Sequence, residues 1–195
     1  RSNSTQDKLN YYSQKFSAMA LAELRSNIIS HKKTIYVYGL GNVGAPIACA
    51  WLRAGAKLIG VDISDALLDG IKNGTSHKKE PTVSETLTKG LSDGLLNLTT
   101  DGVAASKESD IKIMIVPVAI KDKKIDLQNL ITVSNNIGEG LKKADIVIVC
   151  PSLPPGTTRK IILPILEKNS GLKVEDDFYL LYNPERIYEG RAIQD

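Results

Sequence analysis

The chain has 195 residues, with 25 Lys and Arg against 22 Asp and Glu, so its formal net charge is only +3. A composition of 42% hydrophobic and 24% charged residues is that of an ordinary globular protein and excludes a collagenous, disulfide-rich or largely disordered chain. The basic residues are interleaved with acids, whereas nucleic-acid-binding proteins concentrate them on one face, so no nucleic-acid partner is expected. This length predicts one domain with room for an appendage.

The two cysteines bear on the cell compartment of the protein. Cys49 and Cys150 lie far apart, and neither belongs to a CxxC or metal-ligand pattern. We therefore expect buried, unreactive thiols, no metal and a reducing cytoplasmic location. No apolar run approaches the ~18 residues of a membrane span, so no membrane association is expected. His31 and His77 stand beside lysines in polar segments, and we expect both side chains to be solvated.

The first segment, residues 6–30, has the pattern of an amphipathic helix. Its apolar side chains, among them Leu9, Phe16, Leu24 and Ile28, recur mostly at three- and four-residue spacings. This predicts a helical extension over residues 1–32 that precedes a main domain over residues 33–195. The pattern leaves open whether the helix packs on that domain or on another chain.

From residue 34 onward, short apolar runs alternate with segments of helical period. Near-continuous β-branched and aromatic runs are typical of strands buried on both faces of a parallel sheet. The alternation predicts a Rossmann-type, doubly wound parallel α/β sheet of strand order 3-2-1-4-5-6, with the loop at residues 74–80 as a solvated excursion. The predicted strands are 35–38, 57–61, 96–99, 111–116, 146–149 and 178–182, and the predicted helices are 43–54, 66–73, 83–93, 127–141 and 157–168.

A glycine-rich loop follows the first predicted strand. It reads Gly39-Leu40-Gly41-Asn42-Val43-Gly44, a GxGxxG that opens an apolar helix. Asp62 ends the next predicted strand, about 20 residues further on, which is the spacing of the dinucleotide-binding fingerprint. The combination of strand, loop, helix and acid is much more specific than the glycine pattern alone.

Each residue type in this motif has a physical task. Gly39 permits a sharp turn, Gly41 lets backbone N–H groups approach a pyrophosphate, and Gly44 lets the helix pack closely on the sheet. The pyrophosphate would lie on the free amides at the helix start. Asp62 would accept hydrogen bonds from ribose hydroxyls and repel a 2′-phosphate, which favours NAD over NADP. The alternative is a turn that merely connects strand to helix, with Asp62 as a helix N-cap.

Several blocks of the chain resemble the UDP-glucose/GDP-mannose dehydrogenase family, whose amino-terminal domain binds NAD. Together they are more specific than the glycine-rich loop, because other Rossmann dehydrogenases rarely carry them in this order. The likeness covers residues 34–195. The blocks are the glycine-rich loop with Ala45-Pro46, then Gly60-Val61-Asp62-Ile63, Glu80-Pro81, Thr99-Thr100-Asp101, Pro154-Pro155-Gly156-Thr157-Thr158 and Asn183-Pro184-Glu185-Arg186-Ile187-Tyr188-Glu189-Gly190.

This resemblance implies two successive NAD-dependent oxidations of a sugar C6 alcohol to a uronic acid, through a thiohemiacetal and then a thioester on a cysteine. It implies that Glu189 assists the water of thioester hydrolysis and that Ser152 holds that water near the nicotinamide. Asn183, Glu185 and Arg186 would shape the substrate site. The implied cofactor-binding residues are Gly39, Leu40, Gly41, Asn42, Val43, Gly44, Asp62, Ile63, Val116, Pro117, Val118 and Ser152.

Two features of the sequence bear on how the family's cofactor and sugar would be bound. Where the family commonly has a threonine after the fourth strand, this chain has Val118, so a hydroxyl that can meet the cofactor is lost. The segment from Pro184 to Ile187 looks more like the UDP-N-acetyl-mannosamine branch than the UDP-glucose branch, although Glu189-Gly190 also occurs in the latter. The resemblance therefore favours UDP-N-acetyl-mannosamine as the substrate, with UDP-glucose next.

The family's catalytic cysteine and lysine lie in a central domain, and its uridine-binding residues lie mostly in a third domain. Both are absent from residues 1–195, so this chain alone is expected to bind NAD without oxidising a UDP-sugar. A homodimer or higher homo-oligomer would form through the central domain. Two alternatives remain: a stand-alone NAD-sensing or regulatory module whose first helix binds a partner, and an ordinary β-hydroxyacid-type dehydrogenase domain.

Overall fold

The computed structural model describes residues 18–77, 80–121 and 124–185. Helices and strands alternate along most of the chain, as the sequence predicted. The strands are β1 (Thr34–Tyr38), β2 (Lys57–Val61), β3 (Leu96–Thr99), β4 (Ile111–Met114), β5 (Ala119–Lys121), β6 (Lys124–Asp126), β7 (Ile146–Val149) and β8 (Tyr179–Tyr182). The helices are α1 (Ala18–Ile29), α2 (Gly44–Arg53), α3 (Asp65–Lys72), α4 (Pro81–Ser92), α5 (Gly102–Glu108), α6 (Gln128–Gly140) and α7 (Leu163–Ser170).

Six strands form one parallel sheet in the order β3-β2-β1-β4-β7-β8. Its six members are the six predicted strands, and their order is the predicted one. Tyr38 at the end of β1 pairs with Val61 of β2 on one side and with Met114 of β4 on the other. Because the winding direction reverses between β1 and β4, a crevice opens outside their carboxyl ends, where ligands of doubly wound sheets bind.

The core consists of two layers, one on each face of the sheet. Alternate side chains of β1 divide between them: Ile35 and Val37 pack against α2, α3 and α4, while Tyr36 and Tyr38 face the α6 and α7 side. Fully buried aliphatic side chains complete the two layers. They include Leu68, Ile71, Val83 and Leu87 on the first face, and Leu130, Ile137, Ile162 and Leu166 on the second.

The first helix packs on this domain. Ile28 is buried in the first core layer and Leu24 packs against it, whereas Leu21 on the same helix is 55% exposed. At Leu24 and Ile28 the amphipathic pattern therefore has its apolar partner within the chain. The predicted start of the helix, at residue 6, lies outside the described residues. In the described part of the chain, no helix has the length and apolar character needed to cross a membrane.

Three features differ from the sequence prediction. The antiparallel hairpin of β5 and β6 and the short helix α5 were not predicted. The last predicted helix begins as a π-helical turn, Thr158–Ile162, and continues as α7. Pro164 stands at the start of α7, where it cannot donate to the carbonyl four residues back and its ring occupies that space, which disfavours regular α-winding before it.

Candidate functional site

The glycine-rich loop joins β1 to α2 and uses its three glycines in different ways. Gly39 has φ +94°, and a Cβ there would lie 1.8 Å from the carbonyl oxygen of Ile115. A Cβ at Gly44 would lie 1.7 Å from the carbonyl oxygen of Gly39. At Gly41, by contrast, a Cβ would meet no atom within 4 Å. The fold therefore requires Gly39 and Gly44, whereas Gly41 borders open space.

That open space is a cleft of about 780 Å³ at the carboxyl ends of β1 and β4. Its volume is within the range of small-molecule and cofactor sites. The loop, the ends of β2 and β4, helix α6 and the segments after β7 and β8 enclose it. The lining residues are Tyr38, Gly39, Gly41, Asn42, Val43, Gly44, Asp62, Ile63, Ile115, Val116, Pro117, Val118, Asn129, Thr132, Val133, Pro151, Ser152 and Glu185.

Asp62 lies at the end of β2, half-buried on the cleft wall. Its Oδ2 accepts a hydrogen bond from the N–H of Leu40 at 2.9 Å, and its Oδ1 accepts one from the N–H of Ser64 at 3.0 Å. The N-cap of α3 is Ser64, whose hydroxyl accepts from the N–H of Leu67. Asp62 therefore does not cap the helix. Since a carboxylate offers about four acceptor positions, its oxygens retain capacity for ribose hydroxyls.

Most of the predicted site residues meet in this cleft, although they come from five separate parts of the chain. The glycine-rich loop and Asp62 lie on one side, while Val118, Ser152 and Glu185 line the wall formed after β4, β7 and β8. The side chain of Leu40 is fully buried in the core, so only its backbone is available to a ligand. Asn183 is exposed and does not line the cleft. Arg186 and Glu189 lie outside the described residues.

Sequence reasoning missed the contribution of α6. Asn129, Thr132 and Val133 occupy one face of this helix at i, i+3 and i+4 and line the cleft opposite the glycine-rich loop. Tyr38, the residue before Gly39, was missed as well; its hydroxyl oxygen accepts a hydrogen bond from the Asn136 side chain at 3.3 Å. The i, i+3, i+4 spacing on α6 is present in the sequence, but the sequence does not indicate which helix lines the cleft.

The expectation that His77 is solvated is wrong. Its ring is half-buried, with Nε2 2.9 Å from the carbonyl oxygen of Leu40 and Nδ1 3.0 Å from the hydroxyl of Ser76. The loop that carries it therefore folds back on the glycine-rich loop. His31 is exposed as expected, although its Nε2 contacts the carbonyl oxygen of Gly55 at 3.0 Å.

Both cysteines are buried, which confirms that expectation. Burial raises the pKa of the Cys49 thiol to about 12 and that of Cys150 to about 11; the negative charge of Glu185 adds to the second shift. Thiols that ionise only at such pH values are poor nucleophiles. Within the described ranges, no group of three His, Cys, Asp or Glu side chains could hold a metal ion.

The residues present fit a dinucleotide. Helix α2 begins beside the open space at Gly41, and its N-cap, Val43, supplies no side-chain hydrogen bond. In its first turn the N–H of Ala45 donates to the carbonyl of Gly41 and Pro46 has no N–H, so a phosphate would meet the amides of the glycine-rich loop and the positive end of the helix dipole. Ile63, which is 74% exposed, extends the wall beyond Asp62 as an apolar surface suited to a base. The fold and the site together define the cofactor domain of a Rossmann-type, nicotinamide-dependent dehydrogenase.

The chain belongs to the UDP-glucose/GDP-mannose dehydrogenase family: the model of that family's NAD-binding domain matches residues 33–195. Its cofactor is accordingly NAD, as the sequence predicted. This membership accounts for the two blocks after β7 and β8, which an ordinary β-hydroxyacid-type domain left unexplained.

Individual relatives support the same assignment. GDP-mannose 6-dehydrogenase of Pseudomonas syringae pv. syringae is 38% identical over 165 residues, which cover 83% of this chain and 38% of that protein. UDP-N-acetyl-D-mannosamine dehydrogenase of Pyrococcus horikoshii is 33% identical over 161 residues, with the same coverage. A ternary complex of GDP-mannose dehydrogenase from Pseudomonas aeruginosa has a TM-score of 0.78 at 34% identity, covering 83% of this chain and 38% of that one. The chain thus spans about 38% of the length of these relatives.

Proposed function

We propose that this chain is the NAD-binding part of a cytoplasmic nucleotide-sugar 6-dehydrogenase that oxidises the C6 alcohol of a UDP-sugar to a uronic acid in two steps. One observation carries the proposal: a single cleft brings together the glycine-rich loop, Asp62, Ser152 and Glu185 from distant parts of the chain. The reaction converts a primary alcohol and water to a carboxylate and transfers two hydrides, one to each of two NAD molecules.

In this proposal the residues of this chain bind the cofactor and orient the attacking water. Backbone N–H groups at Gly41 and at the start of α2 would hold the pyrophosphate, and Asp62 would accept hydrogen bonds from the adenosine ribose. Ser152, which is exposed on the opposite cleft wall, would hold the water that attacks a thioester, and Glu189 would accept its proton. Thr132 offers a hydroxyl on the wall where Val118 lacks one.

The favoured sugar is UDP-N-acetyl-mannosamine, with UDP-glucose next. The support is the sequence from Pro184 to Ile187, together with a relative named for UDP-N-acetyl-D-mannosamine. Other relatives are named for GDP-mannose and for UDP-N-acetyl-D-glucosamine, so all four nucleotide sugars belong in the assay. The test measures NADH formation by the protein that carries the family's remaining domains. Turnover with one of the three UDP-sugars supports the proposal. Turnover with GDP-mannose alone contradicts the choice of a UDP-sugar, and turnover with none of the four contradicts the proposed activity.

The role of Glu189 has its own test in that longer protein. Glu189→Gln keeps the shape of the side chain but cannot take a proton from water, so it should accumulate a covalent acyl-enzyme after a burst of NADH. Loss of a positioned base typically lowers the rate by about 100-fold to 10,000-fold. Mass spectrometry after one mixing with NAD and sugar nucleotide would show the adduct. Glu108→Gln, at the end of α5, is the matched control. Wild-type turnover by Glu189→Gln without an adduct would rule the residue out as the base.

A further inference from the structure

The backbone of Leu40 is held on both sides within the glycine-rich loop. Its N–H donates to Oδ2 of Asp62 at 2.9 Å, and its carbonyl oxygen lies 2.9 Å from Nε2 of His77. Its side chain is fully buried and lies against Gly60, where an added Cβ would come within 2.8 Å of it. Three independent contacts therefore fix the one residue that separates Gly39 from Gly41.

The contact with His77 sets the direction of the next N–H group. In a trans peptide, the carbonyl of one residue and the N–H of the next point in opposite directions, and the described part of the chain contains no cis peptide. With the Leu40 carbonyl turned towards His77, the N–H of Gly41 is turned away from it. Gly41 lines the cleft and His77 does not. The histidine thus holds the peptide plane that presents this N–H to a ligand.

The ring of His77 is itself held in place. A carbonyl oxygen has no proton to give, so Nε2 is the donor to Leu40, and Nδ1 lies within hydrogen-bond distance of the Ser76 hydroxyl, at 3.0 Å. The backbone of Ser76 donates to the carbonyl of Gly70 in α3. His77 has φ +51°, a left-handed conformation that costs energy for a residue other than glycine. This strained turn brings the ring to the glycine-rich loop.

We infer that His77 is a positioning residue for dinucleotide binding, which acts through the Leu40–Gly41 peptide on the pyrophosphate. The inference rests on the proposed seating of the pyrophosphate at Gly41. It assigns a binding role to the loop after α3, none of whose described residues lines the cleft.

The chain offers a matched control in His31. This residue also has a positive φ, +60°, and its Nε2 also contacts a carbonyl oxygen at 3.0 Å, that of Gly55. Gly55 follows α2, at the end of the helix remote from the glycine-rich loop. Asparagine tolerates the left-handed conformation but is too short to reach the carbonyl. His77→Asn and His31→Asn therefore remove the same kind of hydrogen bond at similar backbone conformations, half-buried at His77 and exposed at His31.

The experiment titrates the 195-residue chain and its variants calorimetrically with NAD, ADP-ribose and adenosine. His77→Asn should raise the Kd for NAD and for ADP-ribose by about 3-fold to 10-fold, the worth of one neutral hydrogen bond. The Kd for adenosine, which has no pyrophosphate, should not change. His77→Gln places an amide N–H near the position of Nε2 and should restore most of the affinity. His31→Asn should leave all three Kd values unchanged.

The outcomes separate this inference from the proposed function. Wild-type affinity for NAD in His77→Asn, or an equal loss for adenosine, overturns the role of His77 while leaving the NAD site in place. An equal loss in His31→Asn makes the effect one of general stability and also overturns it. Failure of the wild-type chain to bind NAD or ADP-ribose would contradict the proposed site itself. Melting temperatures without ligand show whether each variant folds. His77→Gly, which accepts the positive φ and cannot make the hydrogen bond, takes the place of His77→Asn if that variant does not fold.

Discussion

Asp62 combines a structural and a recognition role in one carboxylate, since it binds the N–H groups of Leu40 and Ser64 and also lines the cleft. Asp62→Ser removes the carboxylate that holds the glycine-rich loop, and this loss affects the binding of NAD and NADP equally. The ratio of the two Kd values therefore reports the contribution of Asp62 to recognition of the ribose. Hydrogen bonds to a charged group contribute about 1.5 to 3 kcal/mol. We predict that Asp62→Ser lowers the NAD/NADP selectivity by an order of magnitude or more, measured by calorimetric titration.

Asp101 provides the control for that prediction. It also follows a strand, and it caps α5 by accepting from the N–H of Ala104 at 2.9 Å, but it does not line the cleft. Asp101→Ala should lower stability by about 1 kcal/mol, the usual worth of an N-cap, with the selectivity intact. Unchanged selectivity in Asp62→Ser would remove that carboxylate from ribose recognition.

Substitutions at Gly41 and Gly39, two positions apart, should have opposite effects on folding and on NAD binding. Gly41→Val adds a side chain to open space, so the protein should fold with a near-normal melting temperature and fail to bind NAD. Gly39→Ala forces a Cβ to within 1.8 Å of the Ile115 carbonyl and a positive φ onto alanine, so the fold itself should be destabilised. Thermal melts and NAD titrations of both variants check this. NAD affinity close to wild type in Gly41→Val would mean that the pyrophosphate lies elsewhere.

At the scale of secondary-structure elements, a buried ion pair joins β4 to the turn before β7. Lys112 Nζ lies 2.6 Å from Asp145 Oδ2, and the two side chains are 0% and 1% exposed. Lys112 also donates to the carbonyl of Ser109, and Asp145 also accepts from the N–H of Lys142. Burial lowers the pKa of Lys112 to about 8 and raises the pKa of Asp145, although each partner's charge opposes the shift of the other. The pair lies at the amino ends of these strands, remote from the cleft.

Lys112→Met should lower the free energy of unfolding by about 3 to 5 kcal/mol at pH 7, because it leaves a buried carboxylate without its cation. Loss of the lysine raises the pKa of Asp145 further. Between about pH 4, the ordinary value for Asp, and that raised value, the folded protein then binds more protons than the unfolded chain. Since the wild-type pKa of Asp145 is itself raised, stability of the variant relative to wild type falls as pH increases between the folded pKa of Asp145 in the wild type and its higher folded pKa in the variant. Urea denaturation at a series of pH values measures this dependence.

The double variant with Asp145→Asn supplies the comparison, since an amide oxygen can still accept from the N–H of Lys142 and carries no charge. Its stability should be higher than that of Lys112→Met at pH 7, and its free energy of unfolding should lack the fall with increasing pH that Asp145 causes in Lys112→Met. NAD affinity should be unchanged in both variants. A deficit in Lys112→Met that does not depend on pH would show that loss of the lysine leaves the pKa of Asp145 where it is in the wild-type fold.

The elements that sequence reasoning predicted are those with a strong local signal. The six strands of the main sheet are short, apolar and β-branched, and right-handed crossovers leave few possible orders for them. Helix α5 is only seven residues long, and each strand of the hairpin only three, too short for periodicity to indicate them. In the same way, the spacing of the glycine motif predicted that Asp62 lies after β2 beside the glycine-rich loop, where the structure has it. The positions of His77 and Thr132 depend on tertiary packing, which no fixed spacing in the sequence indicates.

At the scale of the whole molecule, the position of the cleft follows from strand order. Helices pack on both faces of the sheet in the described part of the chain, and the cleft opens at the crevice between β1 and β4, where the winding direction reverses. The two core layers hold the strand ends rigidly, and the loops that follow them carry the binding groups. We therefore expect NAD to bind without rearrangement of the sheet.

An NMR titration of the ¹⁵N-labelled chain of 21.2 kDa with NAD tests directly whether the cofactor binds in this cleft with its pyrophosphate on the glycine-rich loop. We predict the largest amide shifts at Gly41 to Gly44, at Asp62 and Ile63, and at Val118 and Ser152, with little change at the remote pair of Lys112 and Asp145. Shifts centred elsewhere, or no shifts at saturating NAD, would contradict binding in this cleft.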